Sequence, residues 1–444
     1  MNEAAAPAPL LERLLERVVA VRREEVASLL WSFLYFFFLL AAYYTIRPVR
    51  DEMAVQFGSK NLQWLFTATF FTMIALIPVF GWLASRLPVA KLLLTVYTFF
   101  AACLVGFHFA MDAGIEAKRL APVFFVWVSV FNLFVVSVFW SFMADLFRTD
   151  AAKRLFGFIS AGGSLGAVVG PGLTAFFAAR IGIENLPLLS AALLGGAMVC
   201  IVMLLRIAKA RGAGTRFLKT GEAAVGEKPS LWVGVARIAK SPYLAGIAVY
   251  LICYTLLSTL LYFEQTRIVP EAISDPKERT QLFATVDLAV NTLTLVIQFF
   301  LTGRLLAKLG VLPMLVALPV LNLVGFGLFG LATTLPVLLV FGVMRRAGEF
   351  AITKPTRETL FTVVSKEEKY QAKNVIDTVI HRGGDAASSW FAAGLQALGL
   401  SLSGMAFAGL PIAAVWVAVA VYLGRKHEAL QAAQSQDASP EDAR

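Results

Sequence analysis

Arginines and carboxylates gather in a few short stretches of an otherwise apolar chain, and their spacing limits the chemistry open to it. The first stretch is Tyr43-Tyr44-Thr45-Ile46-Arg47-Pro48-Val49-Arg50-Asp51-Glu52, at the end of a long apolar run. Glu264 and Arg267 close another run, and Asp287 and Asn291 share a helix face in a third. Arg345, Arg346, Glu349 and Lys354 follow, and then Asp377, His381, Arg382 and Asp385. Arg345 and Glu349 are four apart and can pair on one helix face, as can Arg346 with Glu349. Asp377, His381 and Asp385 are also spaced by four, the arrangement of a proton relay or of a packed histidine between two acids. Asp287 reads either as a proton-coupling acid or as the structural partner of an arginine in its own half. Several arginines with few spare acids favour an anionic ligand, because a guanidinium fork matches carboxylate or phosphate and stays charged when desolvated. The same arginines could instead close gates through ion pairs with Glu349 and Glu358.

Other chemistries are excluded. No glycine-rich loop ending in Lys-Ser or Lys-Thr is present to cradle a nucleotide phosphate for hydrolysis. His108, His381 and His427 are scattered without metal-ligand spacing, and Cys103, Cys200 and Cys253 each lie inside an apolar run. The reading is therefore neither an enzyme nor a holder of a metal or cofactor, but a protein whose work is driven by gradients.

The elements that position these residues are membrane spans. The 444 residues are 58% hydrophobic and only 15% charged, far below the charge of a soluble domain. Apolar runs of spanning length fall near 27–46, 62–84, 91–111, 121–144, 156–179 and 187–205. A second set falls near 242–263, 281–302, 311–332, 335–353, 375–398 and 403–424. The sequence thus reads as an all-α membrane protein with 12 transmembrane helices in two six-helix bundles, 26–205 and 242–424, joined by a basic linker at 206–241. Residues 1–25 carry Leu10, Leu11, Leu14, Leu15, Val18 and Val19 on one face, as an amphipathic helix on the cytoplasmic surface would. They show no secretory signal. Residues 425–444 read as a polar cytoplasmic tail. The net charge of +10 is concentrated in alternate loops, which excludes a nucleic-acid surface and places both termini in the cytoplasm.

Short repeats support two halves. Gly81-Trp82-Leu83-Ala84-Ser85-Arg86-Leu87-Pro88 is echoed by Gly303-Arg304-Leu305-Leu306-Ala307-Lys308-Leu309-Gly310. Likewise Ala152-Lys153 before Gly162-Gly163-Ser164 is echoed by Ala372-Lys373 before Gly383-Gly384-Asp385. Gly162, Gly166 and Gly170 recur every four residues and form a smooth face for close approach of another helix, with Pro171 able to bend it.

These motifs resemble the major facilitator superfamily. Gly81, Arg86 and Lys91 fit its loop between helices 2 and 3, and Gly303, Lys308 and Gly310 fit the second copy. Ser85 and Ala307 stand where the family has an acid, which implies a gate latched differently. Gly157, Gly166 and Gly170-Pro171 resemble its antiporter motif, with Thr174 and Ala175 in place of the closing glycines; the same seam serves plain packing equally well. Arg50-Asp51 is similar to a basic-Asp pair of the branch that exchanges ATP for ADP, and Lys354 to Phe361 with Ser365 to Tyr370 resemble bacterial proteins grouped near that branch. The resemblance implies a pseudo-symmetric fold in which helices 1, 4, 7 and 10 line a cavity. Arg47, Arg50, Asp51, Glu264, Arg267, Arg345, Arg346, Glu349 and Lys354 then become substrate-binding or gating residues. Both halves then place charge at the same end of their first helix, which favours an outer gate or an anion-attracting vestibule over a simple topological anchor. Asp287, Asp377, His381, Arg382 and Asp385 become coupling candidates. The expected protein is a bacterial inner-membrane transporter, a monomer in the lipid bilayer, that moves a small organic or phosphorylated anion by alternating access. Nucleotide exchange is the specific form. Proton-coupled import or export of another metabolite, or a receptor or scaffold on the same fold, stay open.

Overall fold

A computed structural model describes residues 21–147, 149–210, 231–365, 368, 372–373 and 375–437. Most of the expected N-terminal amphipathic helix, the middle of the linker and the end of the tail lie outside the described residues. The described chain is helical: α1 Val26–Phe57, α2 Leu62–Arg86, α3 Val89–Asp112, α4 Ala117–Leu146, α5 Thr149–Ile181 and α6 Leu186–Ala210 come first. Then follow α7 Leu231–Lys240, α8 Pro242–Ala272, α9 Pro276–Ile297, α10 Gly303–Leu309, α11 Val311–Leu331 and α12 Leu335–Gly348. The last are α13 Lys354–Thr359, α14 His381–Ala397 and α15 Leu402–Asp437. Among the described residues, 10 helices are long and apolar enough to cross a membrane. The sequence reading has twelve. The two segments that fall short are α12 to α13 and α14, where charged residues and two π-helical turns, Glu349–Thr353 and Ile376–Ile380, interrupt the apolar run.

The chain divides into two compact units. The first comprises residues 1–53, 73–224 and 280–288, and the second 54–72, 225–279 and 289–444.

Helix α1 does not stop near residue 46. It runs on to Phe57 with Pro48 inside it. The continuation is held by burial, since Val49, Met53 and Ala54 are core residues and Asp51 and Glu52 are buried beside them. The charged stretch is therefore part of a helix rather than a loop behind it. In a helix of 32 residues, about 48 Å long, it has room to leave the hydrocarbon layer of about 30 Å.

The glycine face of α5 meets α1 in register. A Cβ added at Gly162, Gly166 or Gly170 would strike the carbonyl oxygens of Phe33, Phe37 and Ala41 respectively, so positions four apart on one helix meet positions four apart on the other. One turn further on, the Thr174 hydroxyl donates to the Thr45 carbonyl at 2.7 Å. Thr174 thus extends the seam by a hydrogen bond between the two helices. Gly166→Leu is expected to destabilise the unit by about 1–3 kcal/mol, the usual cost of overpacking. Thermal unfolding in detergent would check it, with Gly157→Ala as the neutral comparison because a Cβ there meets nothing within 4 Å.

In the second unit, Gly384 plays the corresponding part, its absent Cβ leaving room for the Thr255 hydroxyl of α8. Two π-helical turns, Gln298–Thr302 and Glu349–Thr353, clasp one another. A widened turn misdirects backbone carbonyls. Gln298 Nε2 donates to the Phe350 carbonyl at 3.0 Å and Thr302 Oγ1 to that of Ala351 at 2.7 Å. The C-terminal segment also departs from expectation. Helix α15 continues to Asp437 because His427 is buried, its Nδ1 3.3 Å from the Tyr243 hydroxyl.

Candidate functional site

Two clusters of charge are built inside the units, one in each. In the first unit, α1 carries Arg47, Arg50, Asp51 and Glu52. Arg47 Nη1 forms an ion pair with Asp287 Oδ1 of α9, with side-chain exposures of 17% and 1%. The partner lies 240 positions away, in the first helix and not in Asp287's own half of the sequence. Arg50 Nη2 reaches Asp51 Oδ1 at 2.7 Å and its guanidinium lies 5.1 Å from the centre of the Phe125 ring. Paired charge with aromatic cover can be carried inside an apolar unit, whereas a lone charge could not. At the start of the described chain, Arg154 Nη2 binds both carboxylate oxygens of Glu25 at 3.0 and 3.2 Å.

The second cluster surrounds Arg345. This guanidinium is buried, 7% exposed, and lies 5.9 Å from the centre of the Tyr254 ring on α8. Its Nε and Nη1 have no hydrogen-bond partner, and neither has Glu349 Oε2. Arg357, Arg345 and Lys354 all act on the Glu349 carboxylate. The expected helix-face pair of Arg345 and Glu349 is thus electrostatic neighbourhood with donors left over. Arg346 is half-buried on the adjacent position and Lys354 is exposed.

The structure separates the expected relay. Asp377 pairs with Arg357 Nη2 at 3.7 Å, and Asp385 lies 3.8 Å from Arg382 Nη1. The His381 ring lies nearly parallel to that of Tyr254, centroids 6.4 Å apart, and no hydrogen bond joins it to either acid among the described residues. Glu358 pairs with Lys373 instead of with an arginine of its own helix. Near the end of α8, Glu264 is 1% exposed with neither carboxylate oxygen hydrogen-bonded, and Arg267 Nη1 is 3.7 Å away.

The motif residues occupy helix ends and seams. Gly81 and Arg86 close α2, where the Arg86 guanidinium stacks 5.0 Å over Trp82. Gly303 and Lys308 lie on α10, and Gly310 turns the chain into α11 with φ +78, a conformation costly for any residue with a Cβ. Gly157 and Pro171 lie within α5.

Tyr254 is the main residue that spacing did not reveal, since an aromatic residue in an apolar run carries no local sign of the arginine it will cover. An apolar cavity of about 490 Å³ lies nearby, lined by Ile252, Leu256, Gly383, Gly384 and Phe391 among others. No charged residue lines it, so it offers an anion nothing.

A family model described as Major Facilitator Superfamily matches residues 32–344. Among curated proteins, the ADP,ATP carrier protein 1 of Chlamydia muridarum (strain MoPn / Nigg) is 22% identical over 236 residues, covering 47% of this chain and 45% of that protein. The ADP,ATP carrier protein 1 of Chlamydia pneumoniae is 20% identical over 359 residues, 72% of this chain and 70% of that one. The chain spans less than half the length of the first of these relatives and more than two thirds of the second. Among solved structures, a bacterial homologue of the iron transporter ferroportin in an inward-facing state shares the fold with a TM-score of 0.62 at 14% identity, over 90% of this chain and 98% of that one. The nucleoside transporter NupG does so with a TM-score of 0.57 at 13% identity, over 92% and 99%. With the family match running over most of its length and transporters of that fold superposing on nearly all of it, this multi-pass membrane chain belongs to the Major Facilitator Superfamily.

Proposed function

We propose that this protein is a secondary transporter of a bacterial inner membrane that moves an organic or phosphorylated anion by alternating access, with nucleotide exchange as its specific form. The observation that carries this reading is Arg345, a buried guanidinium with unfilled Nε and Nη1 donors beside the Tyr254 ring. A cation held out of water with spare donors is ready for an oxyanion that completes its fork. The similarity to ADP,ATP carriers of Chlamydia supports a nucleotide as that anion. The alternation of lysine and arginine along the loops supports cytoplasmic termini, and the repeated motifs support twelve spans in two halves, 26–205 and 242–424.

The test is direct. Proteoliposomes preloaded with ADP should take up labelled ATP with no proton gradient imposed, and empty ones should not. Uptake that follows only a pH gradient would overturn exchange and favour a proton-coupled carrier. That second reading has one observation of its own, the buried Glu264 with no hydrogen bond to either oxygen.

A further inference from the structure

The second unit holds a cavity of about 460 Å³ with a mixed polar and apolar lining that includes Lys60, Gln63, Arg267, Ala393, Gln396 and Leu400. It is distinct from the Arg345 cluster, none of whose residues line it. Lys60 stands in the short turn that joins α1 to α2 and is exposed. Gln63, one turn on, is 9% exposed. Its Nε2 is used, donating to the Lys60 carbonyl at 2.9 Å, while its Oε1 is buried with no donor. Gln396 of α14 presents a second buried Oε1 with no donor. A buried carbonyl oxygen left without a donor is costly, so two on side chains that line one cavity call for a ligand that brings O–H or N–H groups. Lys60 and Arg267 place positive charge on the cavity, offset only in part by Glu264, which lies 3.7 Å from Arg267 and is not among the lining residues, and Ala393 and Leu400 accept a short carbon skeleton.

No simple anion meets all three demands. Sulfate supplies charge without carbon or donors, and a polyol supplies donors without charge. The cavity also lies on the same helices as an exposed aromatic pair. Trp64 and Trp390 meet edge to face at 4.9 Å, and Trp390 Nε1 donates to Thr67 Oγ1 at 3.0 Å. Exposed tryptophans with a hydrogen-bonded indole mark the water–lipid boundary, where soluble anions and lipid headgroups are both at hand. We infer that this cavity binds an oxyanion carrying hydroxyl groups, of the phosphoglycerol kind, with Lys60 and Arg267 on the anion and the Gln63 and Gln396 carbonyls on the hydroxyls.

The full-length protein in phosphatidylcholine nanodiscs can be titrated with glycerol 3-phosphate while tryptophan fluorescence is read, with Trp390→Phe identifying the reporting pair. Saturable binding is expected, at least about 10-fold tighter than for sulfate or glycerol, the loss expected when a charge-assisted contact is missing. Ala393→Leu, which fills the cavity, and Lys60→Gln, at an exposed position that folding tolerates, should each weaken it by a similar factor. Discs containing phosphatidylglycerol separate the sources. Weaker apparent binding of glycerol 3-phosphate there assigns the site to a lipid headgroup, and unchanged binding assigns it to a soluble ligand; each supports the site. Equal affinity for sulfate and glycerol 3-phosphate, or a titration unaltered by both substitutions, overturns it. Neither arm reads nucleotide exchange, so exchange can fail while this site stands.

Discussion

Replacing Arg345 by glutamine is expected to reduce flux by at least about 30-fold while the protein still elutes and unfolds as a monodisperse species. Removing one partner from a desolvated charge contact costs about 2–5 kcal/mol, and 2 kcal/mol is about 30-fold. The guanidinium is 7% exposed with Nε and Nη1 uncommitted, so its donors are available to a ligand and not tied up in structure. Glutamine is shorter and neutral, so charge and fork are lost together with part of the contact to Tyr254. Arg345→Lys separates the two. It restores charge without the planar fork, and flux should recover only in part, since a point charge cannot hold an oxyanion bidentately. Binding of substrate to detergent-solubilised protein, measured alongside flux, identifies the step that fails. Unchanged flux in both variants would assign Arg345 to structure and remove it from the substrate path.

The second large effect is expected on stability. Asp287→Ala leaves Arg47 inside the first unit without its carboxylate partner, a change that costs about 3–5 kcal/mol for a buried pair. Asp51 also acts on Arg47 and offsets some of the loss, so the lower end is expected. The double variant Arg47→Met, Asp287→Leu should regain most of it, because two apolar side chains of similar volume need no desolvation. Unfolding midpoints of the single and double variants would decide this. Equal destabilisation in both would mean that the pair contributes by shape and not by charge. The same cycle bears on function, because a double variant that folds but does not transport would mark the pair as a gate.

Much of this architecture is legible in the residues because it is local. The apolar runs, the smooth face of Gly162, Gly166 and Gly170, and the charge within 345–354 are all set by spacing along one helix. Helix ends are less legible. The span drawn to end near 46 continues to Phe57, since burial of Val49, Met53 and Ala54 outweighs the charge between them. The π-helical turns at Glu349–Thr353 and Ile376–Ile380 interrupt the regular helices on which the expected Arg345–Glu349 pair and the relay were drawn.

The sequence by itself determined which side chains are charged, which helices carry them and which faces are smooth enough for close packing. Only the tertiary structure decided their partners. Asp287 meets Arg47 across 240 positions, Asp377 meets Arg357, His381 meets Tyr254, and Gln63 and Gln396, each with a buried carbonyl oxygen, come to line one cavity. The reason is geometric. Spacing of three or four fixes neighbours within a helix, whereas neighbours between helices depend on the rotation and depth at which two faces meet. In this chain that depth is set where Gly166 admits the Phe37 carbonyl, a contact that neither helix specifies alone.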